Sequence, residues 1–215
     1  MIARSLSDLG QPVALDPIAI RAELGPFSLC ARCGGQVAAA RRADEHRVLD
    51  KQSWHRHAED MLALHRRTGS ATALLFLDLD HFKRINDTYG HVAGNQVLDA
   101  ISAILERSTR PEDLLGRYGD EFLILLADTS LSDALHVARR IHDAVRALRL
   151  SVPAIGGGTA TITTVTTSLG VAGYSPGHHR TVDDLVVEAD TALYAAKNSG
   201  RDQICPAPPR PRLAR

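Results

Sequence analysis

Cysteine is scarce in this chain, three among 215 residues, and an odd number excludes a fully paired disulfide framework and predicts a reducing compartment. Aromatic residues make up only 4%, too few to build a platform on which single-stranded nucleic acid could stack. Neither sign of charge is in excess, because 25 Lys and Arg balance 25 Asp and Glu. That balance argues against a nucleic-acid polymer or an anionic membrane as partner. No apolar run approaches the roughly 20 residues that cross a bilayer. The opening MIARSLSDLG has the form of neither a signal peptide nor an anchor, so the chain is expected in the cytoplasm.

What is present, 44% hydrophobic residues over 215 positions, suffices for one domain of about 160 residues and a short extension. Residues 1–44 form that extension, of unknown role: a remnant linker or a small dimer contact. Pro12, Pro17 and Pro26 interrupt it, leaving room for one short helix from Pro17 to Leu24. Cys30 and Cys33 make a CxxC, half of a zinc knuckle. His46, His55, His57 and His65 do not supply the other half at a matching spacing, so an incidental loop is favoured over zinc or a redox pair. The domain is expected to span 45–205 and a disordered tail, rich in proline, 206–215.

Within the domain, Ala43 to Arg67 has a helical period, with Trp54, Ala58, Met61, Leu62 and His65 on one face, and Gly69 and Ser70 turn the chain. Ala73 to Leu79 is an apolar strand. Val97, Leu98, Ile101, Ile104 and Leu105 recur as the inner face of a second helix opened by Asn95. Asp133 to Leu148 reads as another. Ser151 to Gly158 reads as a glycine-rich turn, Ala160 to Ala172 as a strand, and Asp190 to Asn198 as a last helix with Tyr194 in the core. The order β, α, α, β, β, α, β, α with mainly antiparallel pairing predicts an α+β fold, a central sheet flanked by helices.

Two places where strands meet acids carry the chemistry. In LLGRYGDEFLILL, residues 114–126, Asp120 and Glu121 follow Gly119 in a turn and precede a strand-like run, which reads as a hairpin with carboxylates at its tip. The strand Ala73–Leu79 ends in Asp78 and Asp80. Placed side by side at about 4 Å, two such carboxylates repel by about 4 kcal/mol at an effective dielectric of about 20. A divalent cation relieves this, and oxygen ligands alone point to Mg²⁺ or Mn²⁺ shared with substrate phosphates. Of the two, Asp78 is preferred to Asp80 as the acid that faces the metal.

LDLDHFKRINDTYGH (residues 77–91), RYGDEF (117–122), TSLGVA (167–172) and ADTALYAAKNSGRD (189–202) stand in the order and at about the spacing of the GGDEF family, the diguanylate cyclases, which this chain resembles from Leu49 to Ile204. The resemblance implies the palm-like nucleotidyl-cyclase fold and condensation of two GTP into cyclic di-GMP by two chains facing each other as a homodimer. It implies metal ligation by the Asp78 and Asp120 carboxylates and the Leu79 carbonyl, with Glu121 beside the metal in the transition state. Phe82 packs near the site, Lys83, Gly119, Lys197 and Arg201 meet phosphates, and Asn86 reads guanine. Arg110 and Asp113 form an RxxD at the distance from the hairpin that the family's inhibitory site for cyclic di-GMP occupies. Each has a plainer reading: Lys83 as a solvated lysine, Lys197 and Arg201 as charges at a helix C-terminus, and the RxxD as accident.

The departures are specific. The family's RxGGDEF has two glycines where this chain has one: either a glycine is deleted, or Tyr118 replaces the first and the loss lies upstream. Asn95 stands where the family places an aspartate on guanine, and losing a charge-assisted hydrogen bond weakens guanine selectivity by about 1.5 kcal/mol, close to tenfold. Glu45, His46 and Arg47 replace an LTG. The favoured reading is therefore a diguanylate cyclase, ahead of a non-catalytic sensor of cyclic di-GMP or GTP and of a cyclase with another purine preference.

Overall fold

The structure, a computed structural model, describes residues 27–29, 36–38, 48–155 and 157–208. The chain divides into two units, Met1–Ala40 and Arg41–Arg215. In the first, β1 (Phe27–Leu29) pairs antiparallel with β2 (Gln36–Ala38). Cys30, Cys33 and His46 lie outside the described residues.

The second unit runs β3 (Val48–Leu49), α1 (Lys51–Thr68), β4 (Thr72–Leu79), α2 (Phe82–Tyr89), α3 (His91–Ser108), β5 (Leu114–Tyr118), β6 (Glu121–Ala127) and α4 (Leu131–Arg146). It continues with β7 (Leu150–Pro153), β8 (Thr159–Ile162), β9 (Thr167–Gly173), α5 (Val182–Asn198) and β10 (Ile204–Pro206). Six strands form one sheet in the order β10-β9-β4-β6-β5-β3. Its interior ladders are antiparallel and its two edge pairings, β3 with β5 and β10 with β9, are parallel. The fold is α+β, as the sequence implies.

The near-continuous apolar runs of β4 and β6 follow from burial on both faces. Leu75, Leu77, Phe122 and Ile124 pack with α2, α3 and α4, whereas Leu74, Phe76, Leu123 and Leu125 pack with α1 and α5. Burying one such side chain stabilises the fold by about 2 kcal/mol. A strand with two covered faces tolerates polar residues only at its ends. In β4 those residues are Thr72 and Asp78.

Four expectations are corrected. The first helix begins at Lys51 rather than Ala43, because the Asp50 carboxylate caps it through the Ser53 N–H at 2.9 Å while Val48 and Leu49 pair with β5. The stretch 150–172 is a separate hairpin, β7–β8, followed by β9, not a loop and one strand. The last helix starts at Val182, where Thr181 and Asp184 form a capping box. Tyr194 is 66% exposed, since the inner stripe of α5 is Leu185, Ala189, Ala192, Leu193 and Ala196. Strand β10 also carries the chain past Cys205, and the Ala207 N–H donates to the Val171 carbonyl at 2.7 Å.

Candidate active site

The acids converge because of strand register. Antiparallel pairing of β4 with β6 sets Asp78 opposite Glu121, both on the face that α5 covers. Asp120 occupies the two-residue turn between Tyr118 and Glu121. In that turn Gly119 has φ +73°, and among the described residues Asp120 is not one of the positive-φ residues. A glycine at the first central position with positive φ there alone is the type II′ pattern of tight hairpins. A Cβ on Gly119 would meet nothing within 4 Å, so backbone conformation rather than space calls for glycine.

Tyr118 is strand, not turn: it ends β5 opposite Glu121. Its ring lies edge-on to Trp54 at 6.2 Å, with the Lys51 ammonium 5.5 Å from its centre. Burial, followed by the charges of Asp183 and Asp50, pushes its hydroxyl up to about 12. The aromatic side chain thus braces the hairpin against α1, and the single glycine is left to make the turn.

Electrostatically the acid edge is unbalanced. Burial raises the Asp78 carboxyl above its ordinary range, with Asp120 and Asp80 adding to the rise, while the Lys197 ammonium, 2.9 Å from Asp78 Oδ2, opposes it. Glu121 is raised by burial first and by the Asp78 charge second. Asp80 has a different fate. It is 6% exposed and accepts from Ser168 Oγ at 2.7 Å, Thr166 Oγ1 at 2.9 Å and the Asp202 N–H at 3.0 Å. Its oxygens are taken up by internal donors, whereas Asp78 has the Lys197 ammonium as its ion-pair partner.

The residues expected at a purine lie on α2 and α3. Phe82 is partly buried against the core, Lys83 is exposed, and Asn86 is partly buried. A Cβ on Gly94 would overlap the Asn86 amide, so α3 approaches α2 closely enough only with glycine there. Asn95 follows, exposed. Arg201 is exposed in the middle of the loop between α5 and β10. In the RxxD, Arg110 is exposed while Asp113 is 5% exposed, and the Asp113 oxygens accept the N–H groups of Arg110 at 2.7 Å and Ala127 at 3.0 Å.

Several residues at the site were not singled out from the sequence. Gly94 is one. Thr167 and Ser168 are others: both are fully buried, and Thr167 Oγ1 donates to the Asp78 carbonyl at 2.8 Å. Adjacent hydroxyls at the start of an apolar strand were the available signal. His142 and Asp202 meet at 3.0 Å from elements 60 residues apart, and no local pattern announces that.

An α+β sheet with an acid-tipped hairpin beside a strand ending in an acid, and a lysine brought in by the last helix, defines a class of nucleotide-handling domain. The chain belongs to the GGDEF family, whose profile, "Diguanylate cyclase, GGDEF domain", matches residues 47–203. It is 36% identical over 160 residues to the probable diguanylate cyclase DgcC of Escherichia coli K12, covering 73% of this chain and 40% of that protein. It is 38% identical over 133 residues to diguanylate cyclase A of Treponema denticola, covering 61% and 34%. The chain thus spans about two-fifths or less of these relatives. The crystal structure of the GGDEF domain of DgcB from Caulobacter crescentus with c-di-GMP superposes with TM-score 0.69 at 27% identity, covering 78% of this chain and 97% of that one. That of diguanylate cyclase SiaD with its activator SiaC from Pseudomonas aeruginosa gives 0.67 at 36% identity, covering 78% and 62%.

Proposed function

We propose that the chain is a diguanylate cyclase that joins two GTP molecules into cyclic 3′,5′-di-GMP and releases pyrophosphate, with two chains each presenting one nucleotide. The observation that carries this reading is the Asp78–Glu121 register with Asp120 in the adjoining turn, an acid edge with one lysine against it. Its donors, the Asp78 and Asp120 carboxylates and the Leu79 carbonyl, are all oxygen. Among the described residues, no group of three or more His, Cys, Asp or Glu is preassembled around a metal. That set fits Mg²⁺ or Mn²⁺, which keep waters and complete their shell with phosphate oxygens. The ion, when bound, supplies charge stabilisation at the α-phosphate and acidifies the attacking hydroxyl.

The chain's own residues do the rest. Lys197 and Arg201, with Lys83, meet the triphosphate, and the Gly119 N–H approaches it without a Cβ in the way. Asn86 and Asn95 hold the base over Phe82. Bound this way, each 3′ oxygen faces the α-phosphorus of the other nucleotide. The new O–P bond forms as the bond to pyrophosphate breaks, and the 3′ proton leaves. Glu121, at the edge of the acid pair, orients this exchange. Product acts back through Arg110, whose backbone Asp113 holds.

The alternative is a sensor that binds cyclic di-GMP or GTP without turnover, favoured by the one observation that the hairpin turn contains a single glycine. Incubating the purified chain with Mg²⁺ and GTP, and separately with GTP plus ATP, and identifying products by mass decides between them. Cyclic di-GMP that disappears in Asp120→Ala is expected. No dinucleotide from either mixture, together with cyclic di-GMP binding that is lost in Arg110→Ala, establishes the sensor instead.

A further inference from the structure

The loop after α5 is bent further than ending a helix requires. One left-handed residue terminates a helix, and Gly200, with φ +115°, provides it. Arg201 and Asp202 follow at φ +65° and +48°, a region that side chains with a Cβ resist. Such strain persists only where the surroundings hold it, and here they do. The Arg201 N–H donates to the Ala196 carbonyl at 3.1 Å, and the Gln203 side-chain amide donates to the same carbonyl at 2.8 Å.

Asp202 is gripped from two directions. Its N–H donates to Asp80 Oδ2 at 3.0 Å, which ties it to the end of the strand that carries Asp78. Its carboxylate faces α4, with Oδ1 at 3.0 Å from His142 Nε2 and Oδ2 at 3.5 Å from Arg146 Nε. Both His142 Nε2 and Asp202 Oδ1 are sealed from solvent, and they meet at 3.0 Å as an ion pair without hydrogen-bond geometry. A buried pair of this kind is retained at the expense of desolvating both groups. These contacts link three places, the end of β4, α4 and the loop that carries Arg201.

We propose that Asp202 is a positioning residue: held by His142 and Asp80, it keeps Arg201 in its left-handed backbone and so aims the guanidinium at the nucleotide phosphates. The proposal rests on the reading of Arg201 given above. It adds that the phosphate arm is registered to the acid edge through Asp80 and anchored remotely by His142.

Titration of the full chain with the non-hydrolysable α,β-methylene analogue of GTP in Mg²⁺ tests it by a double-mutant cycle. Arg201→Ala is expected to weaken binding about tenfold, and Asp202→Ala by a similar factor, with the double variant no weaker than either alone, since the second residue acts only through the first. Asp202→Asn, which tolerates positive φ and keeps an acceptor toward His142, restores affinity. Additive losses, or full affinity in Asp202→Ala beside a weakened Arg201→Ala, overturn the proposal and leave the phosphate reading intact. Full affinity in Arg201→Ala, or no binding by the unmodified chain, overturns both. If Asp202→Ala does not fold, His142→Ala carries the same cycle: about threefold weaker binding that vanishes in the Arg201→Ala background supports the link, and unchanged affinity overturns it.

Discussion

The ladder between β4 and β6 has an acid near each end, Asp78 partly buried and Asp113 buried, and their circumstances are opposite. At one end Asp78 faces Glu121, acid against acid, with the Lys197 side chain as counter-ion. At the other, where Thr72 faces Ala127, Asp113 gives its two oxygens to backbone N–H groups. Burial raises both carboxyls above their ordinary range. Only at the second end is the lost hydration replaced by fixed donors. The first end is left with surplus negative charge and a flexible cation, which suits a site that exchanges partners when a ligand arrives. The second is a rivet between β5 and β6.

The largest expected difference between the ends is in turnover. On the proposed function, Asp78→Asn removes one of the acids offered to the metal and is expected to lower cyclic di-GMP formation by about a thousandfold, the scale of losing one preorganised electrostatic group. Its thermal midpoint stays level or rises, because an acid facing an acid has been neutralised. Product quantified by mass beside a melting curve checks both, and a fall in midpoint of several degrees would break the contrast.

Asp113→Ala is expected to behave in the reverse sense. It leaves the buried Ala127 N–H and the part-buried Arg110 N–H without acceptors and costs about 2 kcal/mol of stability, read from urea unfolding. Turnover per folded molecule stays within about threefold of the unmodified chain, a change of under 1 kcal/mol. A stable variant would mean that solvent reaches the Arg110 and Ala127 amides.

The smallest effect is on the pH dependence of stability. Asp78, Glu121 and Asp113 all have raised carboxyl pKa values when folded, against ordinary values of 3.8 for aspartate and 4.5 for glutamate. Between the ordinary and folded values the folded chain binds more protons than the unfolded chain, so stability falls as pH rises through that window. Asp78→Asn flattens this slope at two positions, since it also removes a charge that raises Glu121. Asp113→Asn flattens it at one. Urea midpoints followed upward from pH about 4, just above the ordinary aspartate value, rank the two variants. Equal slopes would show that Asp78 and Glu121 do not titrate as neighbours.

Much of the fold was legible because β4 and β6 are short apolar runs with an acid at one end, and because Val97, Leu98, Ile101, Ile104 and Leu105, all buried in α3, stand at helical spacing. The beginning of α5 was overlooked although its signals are local: Val182, Leu185, Val186 and Ala189 stand at helical spacing and Thr181 with Asp184 forms a capping box. Tyr194 was misplaced for a different reason: an aromatic in an alanine-rich helix reads as core until the packed side is known. The division of labour between Asp78 and Asp80 was not visible, because period-two alternation puts both on one face. Asp80 is retired by Thr166, Ser168 and the Asp202 N–H, donors that lie more than 80 residues away in the chain.

Sequence by itself determined the family, the α+β class and the motifs that can bring acids, amides and cations to a nucleotide, because those depend on residue type and short spacing. Tertiary structure alone decided which acids are spent on the protein's own amides and hydroxyls and which are left to face the site. It also decided that Tyr118 braces the hairpin while Gly119 turns it, and that His142 reaches Asp202. The physical reason is the same in each case: a buried polar group takes its meaning from partners that only folding brings within 3 Å or so.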